Sequence, residues 1–499
     1  MKNVLKIVSL TLVFLMLLGS LAACKKDDET SANSDTQTGV VGAVSDVETS
    51  SDTALPDGWE LDDEGYVKDS LPETYDFNGA TFDILQWDHE QGEFIMQADS
   101  TTNTVNRAKY DSQLMVEKRF NVKLNVLVET GDWRNRNKFL EKVNASVSIA
   151  AGTYDMVSGY SSTAGTGANS GYYRAINDLP YLDFEKPWWP QHMMKTATIG
   201  EKVYYAAGDI IAESQIRFMN GMFVNLDMYE EHGIASMVEG RSIYEVVDDG
   251  DWTLETLTRM SLGTTGNDDD VYGIAWSNDT FMDSFLYSGG FSTVVTTNGT
   301  LTLNEKLSSG NMADWVTRCQ VLFTETHADA KYDKEAFKQG RSLFGGDFLY
   351  LAETLAAEGT VNFSVLPVPK YDTDQEDFYT CMGMYSTLVS VPSDIRDPNM
   401  TGMIMEGLAS QHHRDVKDVV YYDVFGARYA SAEDAEGVRM FELLYNSATF
   451  DVGKVFENIG IWRSFRDAAR GVTPNWSSAY ASGVDGWKTN VDNLYAKLG

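Results

Sequence analysis

Thr81-Phe82-Asp83-Ile84-Leu85, Val122-Lys123-Leu124-Asn125-Val126-Leu127-Val128 and Tyr154-Asp155-Met156-Val157 stand close together in the chain, and what separates them decides the fold. The first follows the Asn78-Gly79 turn, the second alternates at strand period, and the third is a short apolar run. Between the first two, Asn103 to Phe120 reads as a helix in which Ala108, Ser112, Met115 and Val116 share a face. Between the second and third, about Trp133 to Ala151, Phe139, Val143 and Val147 recur at helical spacing. Strand, helix, strand, helix, strand with short links implies a parallel, doubly wound sheet. Ligands collect at the carboxyl ends of such strands, so Trp87, Tyr160 and the Gly131-Asp132-Trp133 turn are expected near one rim.

Further along, the same mixture continues without a fixed repeat. Asp251 to Leu257 reads as a helix start with Asp251 or Thr253 as cap, Ala313 to Phe323 and Lys334 to Leu343 as helices, and Asn362 to Val365 as a strand before Pro367 and Pro369. A second lobe of similar α/β type is expected. Trp188-Trp189, between Pro187 and Pro190, reads as a surface or structural loop.

Upstream, Lys2 and Lys6 precede an apolar run from Ile7 to Leu18, the layout of an export signal. At about a dozen residues, the run is shorter than the roughly 20 a permanent membrane helix needs. Leu21-Ala22-Ala23-Cys24 matches the lipobox of bacterial lipoproteins, so residues 1–23 are expected to be removed and Cys24 lipidated. Residues 24–72 are rich in Asp, Glu, Ser, Thr and Gly and read as a disordered acidic tether.

The chain carries 74 acidic and 39 basic residues, a formal net charge of -35. Such a surface repels nucleic acid and anionic headgroups, which excludes a nucleic-acid partner and leaves the lipid as the only membrane contact. With Cys24 lipidated, Cys319 and Cys381 remain, either as two buried thiols or as a disulfide. The sequence contains no nucleophile elbow, phosphate-binding loop, H-E-x-x-H pair or dinucleotide glycine fingerprint. His412-His413 point apart on any regular element, and Asp268-Asp269-Asp270 lacks calcium-loop spacing, so neither a metal nor a cofactor is expected.

The order of local patterns resembles that of extracellular solute-binding proteins of ABC importers, in the large sugar-type group that includes maltose-binding protein. The resemblance rests on Ala151-Gly152-Thr153-Tyr154-Asp155-Met156-Val157, Lys202-Val203-Tyr204-Tyr205 and Met222 to Ile234. It continues through Trp252 to Leu257, Phe337 to Phe344, and Leu366-Pro367-Val368-Pro369-Lys370-Tyr371. It implies a two-lobe α/β fold, each lobe a mostly parallel sheet flanked by helices, with hinge crossovers and an interlobe cleft. By that analogy residues 75–210 with 380–425 form lobe 1, and 211–379 with 426–499 form lobe 2.

A sugar offers apolar C-H faces and a belt of hydroxyls, so its site needs flat rings for stacking and polar side chains for paired hydrogen bonds. The 11 Trp, 25 Tyr and 23 Phe supply such rings, but most serve the core, so position has to select among them. Trp87 is followed by Asp88 and Glu90, Trp133 follows Asp132, and Tyr160 lies among Gly and Ser residues. From the resemblance come Asp209 and Arg217 at the first crossover, Trp276 from lobe 2, Tyr385 where the chain re-enters lobe 1, and Trp462 closing over the sugar. The expected function is that of a monomeric, lipid-anchored surface protein that captures a carbohydrate and delivers it unchanged to an ABC permease. Three alternatives stay open at this point: a surface glycoside hydrolase or lyase, a surface adhesin, and the same binding fold with a peptide or other small polar ligand. A surface adhesin would share the anchor but lack a closable cleft.

Overall fold

The computed structural model describes residues 55–499 apart from 57, 90–91, 98–102, 265–269, 277–278, 327–334, 430–434 and 474. The signal segment, Cys24, the first part of the tether, Glu90, Asp268 and Asp269 lie outside the described residues. The chain runs through β1 (Ala80–Trp87), α1 (Thr104–Phe120), β2 (Val122–Glu129), α2 (Arg136–Val147), β3 (Met156–Tyr160) and α3 (Ser161–Asn169). A 3-10 turn, Asp209–Ile211, leads into α4 (Ala212–Arg217), β4 (Asn220–Asn225), α5 (Leu254–Thr264) and β5 (Tyr272–Trp276). Then come the hairpin β6 (Val294–Thr297) and β7 (Thr300–Leu303), α6 (Gly310–Glu325), β8 (Ser342–Phe348), α7 (Leu351–Glu358) and β9 (Phe363–Leu366). The remainder is β10 (Thr380–Cys381), β11 (Thr387–Ser390), α8 (Pro398–Asp415), α9 (Lys417–Tyr429), β12 (Ala448–Thr449), α10 (Val452–Val455), α11 (Ile461–Ala469) and α12 (Trp476–Leu498).

The opening strand–helix–strand–helix–strand pattern folds as a parallel set. β1 lies between β2 and β3, with Leu85 opposite both Leu127 and Val157. Phe82, Ile84 and Leu85 are fully enclosed, each contributing on the order of 1.5–3 kcal/mol by leaving water. Asn103 caps α1 by accepting the Asn106 N–H at 2.7 Å, and Asn121, at φ 44°, ends it in the left-handed region. Val116 and Ser112 face the core, whereas Met115, expected beside them, is exposed. α2 is shorter than expected at both ends.

β11 completes this sheet by returning antiparallel beside β3, Val389 opposite Ser158. The turn before β3 explains the Ala151-Gly152 signature: Gly152 has φ 58°, and a Cβ there would lie 2.8 Å from Arg396. Asp155, wholly buried, accepts the Asp83 N–H at 2.9 Å and is bound by Arg396, which ties the segment after β11 back to β1.

The second sheet has the order β5-β8-β4-β9. β5 and β8 are parallel, while β4 runs against both β8 and β9. Both sheets therefore have three strands in one direction and one reversed, but the reversed strand is at the edge in the first and interior in the second. Between the sheets the chain passes through neighbouring segments stitched by backbone bonds. Gly383 N–H donates to Phe218 O at 2.7 Å, and Met382 N–H to Thr449 O at 3.0 Å.

Two local expectations need correction. The stretch read as a helix, Lys334 to Leu343, is turns at 335–340, and its last two residues open β8, which runs on to Phe348 enclosed on both faces. The stretch from Trp59 to Leu71, placed within the tether by composition, folds back on α1 and α8. Leu61 bridges Val67, Asp69 pairs with Arg119 at 2.7 Å, and Arg414 holds Asp62 and Glu64. Cys319 and Cys381 are both free and buried. Trp188 and Trp189 are buried as well, each indole N–H donating to the Glu406 carboxyl at 3.0 Å.

Candidate functional site

The carboxyl ends of both sheets carry aromatic rings, and these rings meet. Trp87 closes β1 and Tyr160 closes β3, with ring centroids 5.3 Å apart. The Trp87 indole N–H donates to Thr387 Oγ1 at 3.0 Å, on the neighbouring end of β11. Since Thr387 pairs with Tyr160 in the ladder, Tyr385 just ahead of it reaches the same rim, 6.2 Å from the Tyr160 ring. Trp133, in the turn after β2, stands 6.3 Å from Tyr160.

From the second sheet, β8 ends at Phe348, which pairs with Asn220 at the start of β4. Phe218 before β4 and Tyr350 after β8 are therefore neighbours of Phe348, at 5.9 and 6.1 Å. Phe348 and Phe218 then approach Tyr385 to 6.1 and 6.4 Å, and His89 fills the gap between Trp87 and Phe218. Gly383 makes the approach possible, because a Cβ there would sit 2.3 Å from the Phe348 ring.

The cluster has a buried base and an exposed lip. Trp87, Tyr160, Phe218 and Phe348 are buried, whereas Trp133, Tyr350 and Tyr385 remain 41%, 39% and 50% exposed. Exposed rings beside buried ones are what a flat apolar guest requires: free faces on a base that does not move. Arg136 covers one face of the Trp133 indole at 3.7 Å. Asp88 accepts the Gly131 N–H at 2.9 Å and Asp132 caps Asn135, which fixes the Trp133 turn. Burial, with help from Lys109 and Arg217, pushes the His89 imidazole down to about 4, so it is neutral near pH 7. Burial also raises Tyr160, and pushes Tyr350 up to about 12, which leaves both as phenols able to donate a hydrogen bond.

The remaining expected site residues sit elsewhere or are already occupied. Asp209 is fully buried, its carboxylate shared between His413 Nδ1 at 2.6 Å and the Tyr445 hydroxyl. Arg217 is bound by Glu213 at 2.9 Å, by Glu353, and by Asp423 at 2.6 Å. Trp276 packs edge-on against Phe323 at 5.0 Å in the interior. Trp462 is buried beneath Lys454, Arg463 and Arg466, with no hydrogen-bond partner for its indole N–H among the described residues. Sequence reading missed His89, Phe218, Phe348 and Tyr350. The usable signal was an aromatic directly at the end of a strand, but β8 had not been read as a strand, its first two residues having been taken for the end of a helix.

Among the described residues no group of three His, Cys, Asp or Glu side chains could hold a metal ion, and no helix is long and apolar enough to cross a membrane. Two further hollows, of about 520 and 430 Å³, border His192 and Tyr379 and include none of the clustered rings.

No family model matches the chain, and no curated protein matches it. Solved structures do. The cyclic alpha-maltosyl-1,6-maltose binding protein from Arthrobacter globiformis aligns over 84% of this chain and 100% of its own, with TM-score 0.56 and 13% identity. A cyclo/maltodextrin-binding protein complexed with maltotetraose aligns over 83% and 98%, with TM-score 0.55 and 15% identity. A sugar transporter from Rhizobium etli in an open conformation aligns over 84% and 100%, with TM-score 0.53 and 13% identity. At such identities the likeness establishes architecture, and the chain has the two-lobe α/β fold of ABC-transporter solute-binding proteins.

Proposed function

We propose that this chain is the solute-binding component of an ABC importer and that it holds a carbohydrate, in particular an oligosaccharide, between its two sheets. The observation that carries this reading is the ring cluster: Trp87, Trp133, Tyr160 and Tyr385 from one side meet Phe218, Phe348 and Tyr350 from the other. A solved structure of like fold supports it, the cyclo/maltodextrin-binding protein complexed with maltotetraose. In this reading the lobes close about the stitched crossovers, the guest is enclosed by rings from both, and the closed form is presented to a permease. The guest leaves chemically unchanged. An affinity near micromolar, about -8 kcal/mol, suits capture followed by release.

The anchor belongs to the same proposal. Cys24 carries the lipid, the acidic segment after it spaces the folded body from the outer face of the membrane, and the protein works as a monomer. The test is a thermal-shift screen of the chain beginning at residue 25 against oligosaccharides and peptides, followed by chromatography of the best ligand after overnight incubation. A shift with an oligosaccharide recovered intact is expected. Cleavage would make the protein a carbohydrate-active enzyme, and a shift with peptides alone would change the ligand class.

A further inference from the structure

Glu457 lies in the short turn between α10 and α11, and its Oε1 is sealed from solvent with no hydrogen-bond partner among the described residues. Its position relative to the ring cluster follows from packing. α10 lies against α3, the helix that begins immediately after Tyr160, so closely that a Cβ on Gly165 would sit 2.4 Å from Val455 O and 3.2 Å from Phe456 N. The carboxylate next along the chain is therefore beside the first turns of α3, and its charge is felt at both Tyr160 and Arg136, the residue stacked on Trp133. Arg463 approaches the other oxygen at 3.8 Å, an ion pair that holds the side chain without satisfying Oε1.

A buried carboxylate oxygen without a donor is costly, and a ligand hydroxyl is one group that can supply the missing bond. Resting on the carbohydrate reading above, we infer that Glu457 is a specificity-determining residue of the cleft. Its Oε1 accepts a hydrogen bond from a hydroxyl of a pyranose ring that stacks on the free face of Trp133, the face that Arg136 leaves open. Such an acceptor selects a neutral sugar and rejects a uronate, whose carboxylate would meet Glu457. Burial raises the Glu457 pKa and Arg136 and Arg463 oppose this, consistent with a charge placed where water is scarce.

Wild type, Glu457→Gln and Glu457→Asp are titrated by calorimetry with maltotetraose, cellotetraose, xylotetraose and a tetragalacturonate, and melted without ligand. The account expects one neutral tetrasaccharide to bind wild type and to lose roughly tenfold or more in affinity with Glu457→Gln, with a smaller loss for Glu457→Asp. It also expects the ligand-free Glu457→Gln protein to melt at the same or a higher temperature, because the unsatisfied charge is gone. Neutral-sugar binding unchanged in Glu457→Gln overturns this assignment and leaves the carbohydrate reading standing, as does a markedly lower ligand-free melting temperature, the mark of a folding role. Preference for the uronate also overturns it, and a wild type that binds none of the four overturns both.

Discussion

Trp133 was picked out from its turn beside Asp132 and Trp276 from the family resemblance, and the structure gives them opposite surroundings. Trp133 presents an open face at the lip of the ring cluster, so Trp133→Ala is expected to weaken carbohydrate binding by roughly tenfold, the value of one stacked ring, with little change in melting temperature. Trp276 fills interior space against Phe323, so Trp276→Ala is expected to cost about 3–5 kcal/mol in denaturant unfolding. Equal stability losses in the two variants would contradict these placements. The sequence could not separate them, because both follow apolar strand runs and only tertiary packing decides which end of a strand faces a neighbour. A second residue-scale expectation concerns pH. Burial raises Glu93 to about 7 and Glu406 to about 8 from an ordinary 4.5. Groups raised in the folded state contribute stability that is complete below the unfolded value and is lost as pH rises through the folded value. Unfolding free energy is therefore expected to fall between about pH 4.5 and 8, with a slope of up to about 1.4 kcal/mol per pH unit for each group. Glu93→Gln should flatten the first part of that fall, and a profile as steep as wild type would contradict the assignment.

At the scale of elements, what was legible was local. Short-range periodicity gave β1 through β3 with α1 and α2, because each strand pairs with a near neighbour in sequence. β11 joining β3 from more than two hundred residues away, and β4 reversed within its sheet, are long-range pairings on which no local pattern bears. β8 was missed because its first two residues fell in Lys334 to Leu343, whose apolar spacing also suits a helix, and a strand covered on both faces has no alternation to reveal it. Arg217 shows the same limit. Polar and near a crossover, it looked like a ligand contact, but it joins α4 to α7 and α9 through Glu213, Glu353 and Asp423, while Lys109 of α1 also binds Glu213. Arg217→Met would leave buried Glu213 with one partner fewer, so a destabilisation on the order of 3–5 kcal/mol is expected in denaturant unfolding. A variant as stable as wild type would show that these elements do not depend on the network.

For the whole molecule, the two sheets matter because they point their carboxyl ends at one another, and the rings there come from segments far apart in the chain. Trp87, Trp133 and Tyr160 were accessible to sequence reasoning through strand ends and turn chemistry and Tyr385 through the family resemblance, whereas the half of the candidate site from Phe218, Phe348 and Tyr350 emerged only with the second sheet. The folded strap from Trp59 to Leu71 adds that the chain arrives at the body fastened to α1 and α8, the helices beside the first sheet. The most direct test of a guest held by that ring cluster is calorimetric titration of the best oligosaccharide into wild type and into the Trp133→Ala, Tyr385→Ala double variant. Both residues are exposed enough to be removed without disturbing the core. Saturable binding by wild type and a loss of about a hundredfold in a double variant that melts normally is the predicted result; a double variant that binds as tightly as wild type would contradict it.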